Sequence, residues 1–351
     1  MKMGKILLSI TCCLVLFNTA MGQDVQLSQY YNAPLYLNPG FAGTGDNTRV
    51  GLNYRTQWTG IDKPFNSVSL WADHNIESYN SGIGLLYFRD VQGNSRLTTN
   101  EISLQYSYSI NVNDDWVIKP GIQVGLVSRD LNYSSMIFAD QLSSSGSTGA
   151  GTSDPVATGV NARTYGDISA GAIAFNENAW FGLSFHHLNR PNQAFTEGDY
   201  LPLPMKFSAQ GGYKFYLSDR GTKYKYKPKT SEPEVSITPT FLFKQQGVYN
   251  QLDLGAYLTY EPLMVGIWYR GIPVSKHATG LAGSEALVFM LGGYYQGFTL
   301  GYSYDYTLSK LKSAGSGSVH ELSLIYEFKP IKYKAKRGRS APCPKFHRRY
   351  Q

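Results

Sequence analysis

Few residues in this chain have the types and spacing that chemistry requires. His186 and His187 are adjacent. Neighbouring strand residues point to opposite faces, so the pair is expected to split between the inside of a sheet and its outer face, and not to share a metal ion. His74, His277, His320 and His347 are scattered. Asp305, Glu321 and Glu327 fall on the polar faces of alternating runs and are expected to approach one another in a water-filled lumen. Paired carboxylates do acid-base work when their surroundings drive their pKa values apart, but lining a polar lumen requires the same residues. There is no Gly-x-Ser-x-Gly elbow, no phosphate loop with its lysine, and no pair of Cys-x-x-Cys motifs. The glycines of 143–151, in SSSGSTGAGTSD, resemble a phosphate cradle only in composition and read as a flexible loop tip. The chain reads as a protein with no catalytic, cofactor or metal site.

The elements that position these residues are strands. In Glu101 to Ile110 the side chains of Ile102, Leu104, Tyr106, Tyr108 and Ile110 share one face, opposite Ser103, Gln105 and Ser107. Phe298 to Thr307 and Glu321 to Phe328 alternate in the same way. Such runs predict fourteen strands, at 48–57, 65–74, 81–91, 97–110, 116–133, 164–175, 179–189, 205–216, 234–244, 251–260, 263–270, 285–295, 298–307 and 317–328. The number is even, and several runs reach the roughly 9–11 residues that a tilted strand needs to cross a bilayer.

Composition agrees, with 36 Gly, 27 Tyr and 17 Phe among 351 residues and only 16% charged, a mixture suited to pleated sheets and membrane interfaces. Two lysines, the apolar run Ile6 to Phe17 and the small residues of Ala20-Met21-Gly22 read as a signal peptide over 1–22. Cys343 is then the sole mature cysteine, so the fold is expected to hold without an intramolecular disulfide. The net charge of +7 is uneven: residues 329–351 hold nine basic residues and no acid, and without them and the two signal lysines 21 basic residues face 25 acidic ones. The body is mildly acidic, which together with export excludes a nucleic-acid reader.

Connections supply a second pattern, because outer-membrane barrels have short periplasmic turns and longer outer loops. With both ends periplasmic, the links after even-numbered strands should be short. Asn75 to Asn80, Asn111 to Asp115, Asn176 to Asn178, Glu261-Pro262 and Gln296-Gly297 fit. Leu217 to Pro233 is the exception, long and basic. Its Lys223, Lys225 and Lys227, with Lys336, Arg337, Arg339, Arg348 and Arg349 of the tail, place positive charge on the periplasmic side. That charge suits anionic lipid headgroups, plain solvation or docking of a periplasmic partner. The domains are therefore a signal peptide at 1–22, an N-terminal segment at 23–47, an all-β transmembrane antiparallel barrel at 48–328 and a basic periplasmic tail at 329–351.

The segment SQYYNAPLYLNPGFAG, from Ser28 to Gly43, is too rich in Asn, Pro and Gly for a helix. Pro34 and Pro39 favour an extended, turning path. Its polar side chains suit an inward-folded luminal plug, although a simple periplasmic lead-in has the same composition. Gln29, Tyr30, Asn32, Pro34, Asn38, Pro39, Ala42 and Gly43 resemble the N-terminal signature of the PorP/SprF family of type IX secretion outer-membrane proteins. Gly40-Phe41-Ala42-Gly43 stands where that family more often has Ala-Tyr-Ala-Gly. Arg55 to Trp58 and Pro64 to Ser67 are further family-like features.

The resemblance implies a multi-pass barrel of the outer membrane, surrounded by its lipids and acting in type IX secretion. It acts either with the core machinery and its periplasmic lipoproteins, or in secretion and surface attachment of one large cargo, such as a gliding adhesin, that carries a C-terminal targeting domain. The architecture is also FadL-like, which keeps open a channel for hydrophobic small molecules or a purely structural barrel. Inward Ser, Thr, Gln and Gly argue against the channel.

Overall fold

Fourteen long strands form one antiparallel sheet that closes on itself. The computed structural model describes residues 24–93, 95–133, 136–143, 146–154, 157, 162–195, 198–217, 235–272, 285–308 and 315–328. The expected signal peptide, the lysines at 223, 225 and 227, and the tail from 329 with Lys336, Arg337, Arg339, Arg348 and Arg349 lie outside the described residues.

The strands are β1 (Arg49–Gln57), β2 (Phe65–Ile76), β3 (Ser81–Gln92), β4 (Leu97–Tyr108), β5 (Val117–Asp130), β6 (Ala162–Phe175), β7 (Ala179–His186), β8 (Lys206–Tyr213), β9 (Val235–Gln246), β10 (Tyr249–Tyr260), β11 (Leu263–Ile272), β12 (Ala286–Tyr295), β13 (Phe298–Thr307) and β14 (Val319–Glu327). Each pairs with its sequence neighbours. β1 closes the ring against β14, with Arg49 opposite Glu327 and Gln57 opposite Val319. A closed ring leaves no unpaired strand edge, which is the condition for β structure to cross a bilayer.

All fourteen predicted strands are present, and the differences lie at their ends. The predicted 97–110 strand stops at Tyr108 because the Ser109 amide turns to the Asn80 carbonyl at 2.6 Å, and pairing resumes only at Ile110–Asn111. The predicted 205–216 strand is interrupted at Lys214, whose amide bonds the Asn178 carbonyl at 2.7 Å. The predicted 179–189 strand ends at His186, since His187 adopts φ 59°.

Alternation resolves into a lipid face and a luminal face. Leu104 is 67% exposed and Leu126 61%, whereas Ser103, Gln105 and Ser107 are buried. The β12–β13 turn, Gln296-Gly297, has φ of 48° and 92°, the double left-handed geometry of a tight hairpin. At the same end of the barrel Asn176 Oδ1 accepts the amides of Asn178 and Ala179, a side-chain turn. The short turns therefore share the end where β1 begins and β14 finishes. Tyr79, Trp116, Tyr260 and Tyr295 are exposed around it, as an aromatic belt at a membrane interface requires.

Candidate functional site

The interior of the barrel is filled by the chain's own residues 24–44. Three short helical turns shape this segment: a 3-10 turn Tyr30–Asn32, an α turn Pro34–Leu37 and a 3-10 turn Pro39–Phe41. This corrects the expectation of a non-helical, extended path. Pro34 and Pro39 each open a turn, where a missing amide costs nothing and the fixed φ suits helix. Asn38 caps the third turn, its Oδ1 accepting the Gly40 amide at 2.8 Å.

Strand side chains satisfy the segment's backbone. Trp71 Nε1 donates to the Asn32 carbonyl, Gln105 Nε2 to that of Leu35, Ser184 Oγ to that of Leu37, Ser107 Oγ to that of Ala42 and Lys119 Nζ to that of Gly43, at 2.7 to 3.1 Å. These donors pair buried carbonyls that such short turns do not satisfy internally.

A buried ion-pair network holds Ser28. Its hydroxyl donates to Asp305 and accepts from Arg55 at 2.5 Å and Arg270 at 2.9 Å. Its amide and that of Gln29 donate to the Glu321 carboxylate at 2.7 and 3.1 Å. Arg55 spans Asp305 and Glu321 at 3.2 and 3.3 Å. Removing one member of such a buried set costs about 3–5 kcal/mol, because the remaining charges lose their partners. The two carboxylates do approach each other as expected, but through Arg55 and Ser28 in a packed interior and not in water. Glu327 stands apart at the other end, accepting the Asp46 amide at 3.2 Å.

The histidine pair departs from the predicted split. His186 is buried and meets the Leu37 carbonyl at 3.2 Å. His187 also turns inward, its two ring nitrogens 2.9 Å from Asp167 and from Asp24. The left-handed backbone at His187 breaks the alternation on which the expectation rested. Among the described residues no cluster of His, Cys, Asp and Glu has the geometry to hold a metal ion. The expected flexible loop tip is also structured: Leu142–Ser143 and Gly146–Ser147 form a small hairpin, braced where Asp140 accepts from Thr152 Oγ1 and the Ser153 amide.

Apolar contacts complete the interior. Leu37 and Phe41 join Ile173, Phe175, Trp180 and Leu242 in one cluster, while Leu35 and Ala42 join Trp71 and Leu86 in another. Tyr36 stacks on Phe88 at 4.7 Å. The wall is thus more apolar than its Ser, Thr and Gln suggested, because Ile173, Phe175, Trp180, Leu242, Trp71 and Leu86 meet the segment's own Leu, Phe and Ala side chains.

Each signature residue has a place. Gln29 Nε2 donates to the Glu321 carbonyl at 2.9 Å, and Asn32 Nδ2 to Ser323 Oγ at 2.7 Å. Tyr30 meets Trp268 edge-on at 5.2 Å. Pro34 is buried and its carbonyl accepts the Asn38 amide at 3.1 Å. Asn38 donates to two strand carbonyls. Pro39 lies so close to Gly121 that a Cβ there would stand 2.5 Å from its carbonyl carbon. Ala42 is fully buried. Gly43 has φ 62°, donates to Asp73 at 2.8 Å, and would place a Cβ 2.6 Å from Gly82 Cα.

Arg55, Lys119, Arg270, Ser28 and Asp24 were missed as site residues. Lys119 carried a readable signal, a lysine on the inward side of a strand whose outward neighbours are Ile118 and Ile122.

Comparison with known proteins gives both structural likenesses and a family match. The chain resembles the Ralstonia pickettii toluene transporter TbuX, with 11% identity over 85% of this chain and 94% of that one and a TM-score of 0.48. It resembles the P. putida toluene transporter TodX at 10% identity, covering 86% and 95%, with a TM-score of 0.43. A Pseudomonas aeruginosa FadL homologue matches at 12% identity, covering 80% and 90%, with a TM-score of 0.38. No curated protein sequence matches. Residues 19–326 match the model of the type IX secretion system membrane protein PorP/SprF, which is not an enzyme family. With a closed barrel and a match over most of its length, the chain belongs to the PorP/SprF family of type IX secretion system membrane proteins, as a fourteen-stranded antiparallel membrane barrel.

Proposed function

We propose that this barrel supports secretion and cell-surface attachment of one large cargo, the SprF-like role, and not diffusion of small molecules. The observation that carries the reading is the occupied lumen. Between Asp24 and Thr44 the segment touches walls on opposite sides of the ring, from β2 and β4 to β11 and β14. A barrel filled in this way serves better as a membrane-embedded platform than as an open pore. Residues 23–47 act as a plug. The outer loops engage the cargo's C-terminal targeting domain, while the basic residues at 223–227 and 336–349 dock periplasmic lipoproteins of the secretion machinery.

Deleting the gene and comparing surface and secreted proteins tests the role. Loss of a single large adhesin is expected. Loss of every type IX cargo would assign the chain to the core machinery instead, and an unchanged set of proteins, or loss of labelled fatty-acid uptake alone, would overturn the secretion role.

A further inference from the structure

A segment that precedes the first strand of a barrel can enter the lumen and return, leaving both of its ends on the same side. This one does not return. Its contacts along β14 fall in order of depth: Ser28 meets Glu321, Asn32 meets Ser323 and Asp46 meets Glu327. Six residue steps lead from the first to the last of these, about 20 Å along the strand at the rise of an antiparallel strand. β2 gives the same direction, since Trp71 bonds the Asn32 carbonyl and Asp73, farther toward the short turns, bonds the Gly43 amide.

Asp24 continues the sequence upward. It accepts from Lys206 Nζ at 2.6 Å and Gln246 Nε2 at 3.0 Å, and lies 2.9 Å from His187 Nε2. Lys206 opens β8, Gln246 closes β9 and His187 follows the last residue of β7. All three stand at the end of the barrel opposite the short turns. Asp24 is therefore at one mouth and Thr44 near the other, and the segment runs through the lumen in a single pass.

We propose that the amino-terminal end of this segment opens onto the cell surface, so that the mature chain presents its N-terminus outside although its first strand starts at the periplasmic side. Three features hold that polarity. The Asp24 carboxylate is gripped by a lysine, a histidine and an amide, all from the outer rim. Gln26 exchanges two hydrogen bonds with Gln251, at 3.0 and 2.9 Å, just below. The Ser28 network then fixes the next step. A reversed thread would take the Asp24 carboxylate away from Lys206, Gln246 and His187. The exposed end is a tether point at the same mouth as the long loops. The sidedness rests on the short turns being periplasmic, and the test separates that from the threading.

An epitope inserted between Gln23 and Asp24 is compared on intact and permeabilised cells with the same epitope placed after Gly149 in an outer loop and after Glu177 in a short turn. The expected result is that the Gln23 and Gly149 tags stain intact cells and the Glu177 tag stains only after permeabilisation. A Gln23 tag that is silent on intact cells while the Gly149 tag stains would overturn the threading. A bright Glu177 tag with a dark Gly149 tag would overturn the sidedness. Heat-shifted gel mobility reports whether each tagged barrel has folded. Where the N-terminal insertion prevents folding, the pair Gln26→Cys with Gln251→Cys, in a Cys343→Ala chain, is treated in native membranes with a short membrane-permeant bis-maleimide, since two glutamines that meet tip to tip leave cysteines there too far apart for a direct disulfide. A cross-linked band is expected, and its absence would overturn the single-pass thread.

Discussion

Asn38 and Leu183 lie 145 residues apart in sequence, yet the Asn38 side-chain amide donates to the Leu183 carbonyl at 2.8 Å. The same nitrogen reaches the Ala172 carbonyl at 3.2 Å, on the neighbouring strand. One side chain thus ties the luminal segment to β6 and β7. Asn38→Ala leaves buried polar groups without their partner, at a cost of about 1–3 kcal/mol. Combined with Pro39→Ala, which also frees the backbone of the turn, the change should loosen the segment and raise entry of small hydrophilic solutes into cells. Unchanged permeability would show that the segment is not the seal.

Glycines on the inner wall mark where the segment passes. A Cβ at Gly171 would stand 2.2 Å from Asn38 Oδ1 and 3.0 Å from the Leu183 carbonyl, and one at Gly121 would stand 2.5 Å from the Pro39 carbonyl carbon. A Cβ at Gly166 meets nothing nearer than 3.9 Å. Gly121→Val should therefore destabilise the folded barrel by about 1–3 kcal/mol through overpacking, and Gly166→Ala should be nearly neutral. The midpoint of the heat-induced gel shift in detergent measures both, and equal midpoints would refute the close approach.

Asp140 braces the hairpin between β5 and β6. The Ser153 amide first, and then the Thr152 hydroxyl, hold its carboxyl below the usual aspartate range. A depressed folded value means that this brace is present above the ordinary pKa and is lost as pH falls through the lowered one. Asp140→Asn should make the loop more susceptible to added protease on intact cells at neutral pH, and the wild-type loop should loosen only in acid. Identical cleavage of the two chains would remove the brace from the account.

The tail carries a topological expectation. With β14 ending among the short turns, Cys343 should be periplasmic, so a membrane-impermeant maleimide should leave intact cells unlabelled until the outer membrane is opened. Deleting 329–351 should spare the heat-shifted barrel and weaken capture of its periplasmic partner. Ready labelling of intact cells, or undiminished capture, would contradict the two parts separately.

Strand number and facing were legible because side chains in a strand alternate with period two, and a barrel in lipid must show an apolar face on every strand. Ile102 through Tyr108 and Phe298 through Tyr306 carry that signal without reference to any partner strand. Turn positions were legible for the same local reason, as at Gln296-Gly297. The boundaries at Tyr108, Tyr213 and His186 were not, since each depends on an amide or a backbone torsion committed elsewhere in the fold.

The luminal segment shows the limit most plainly. Its sequence set its chemistry: prolines that open turns, amides that need partners and apolar side chains that need cover. Its path and direction were set by contacts between residues hundreds of positions apart, such as Ser28 with Glu321 and Gln29 with Ser323. Arg55, Asp305 and Arg270 likewise read as isolated polar positions on three different strands. Only closure of β1 onto β14 brings them within reach of one hydroxyl, because strand pairing fixes depth and neighbour at once, and neither is written in the spacing of any single strand.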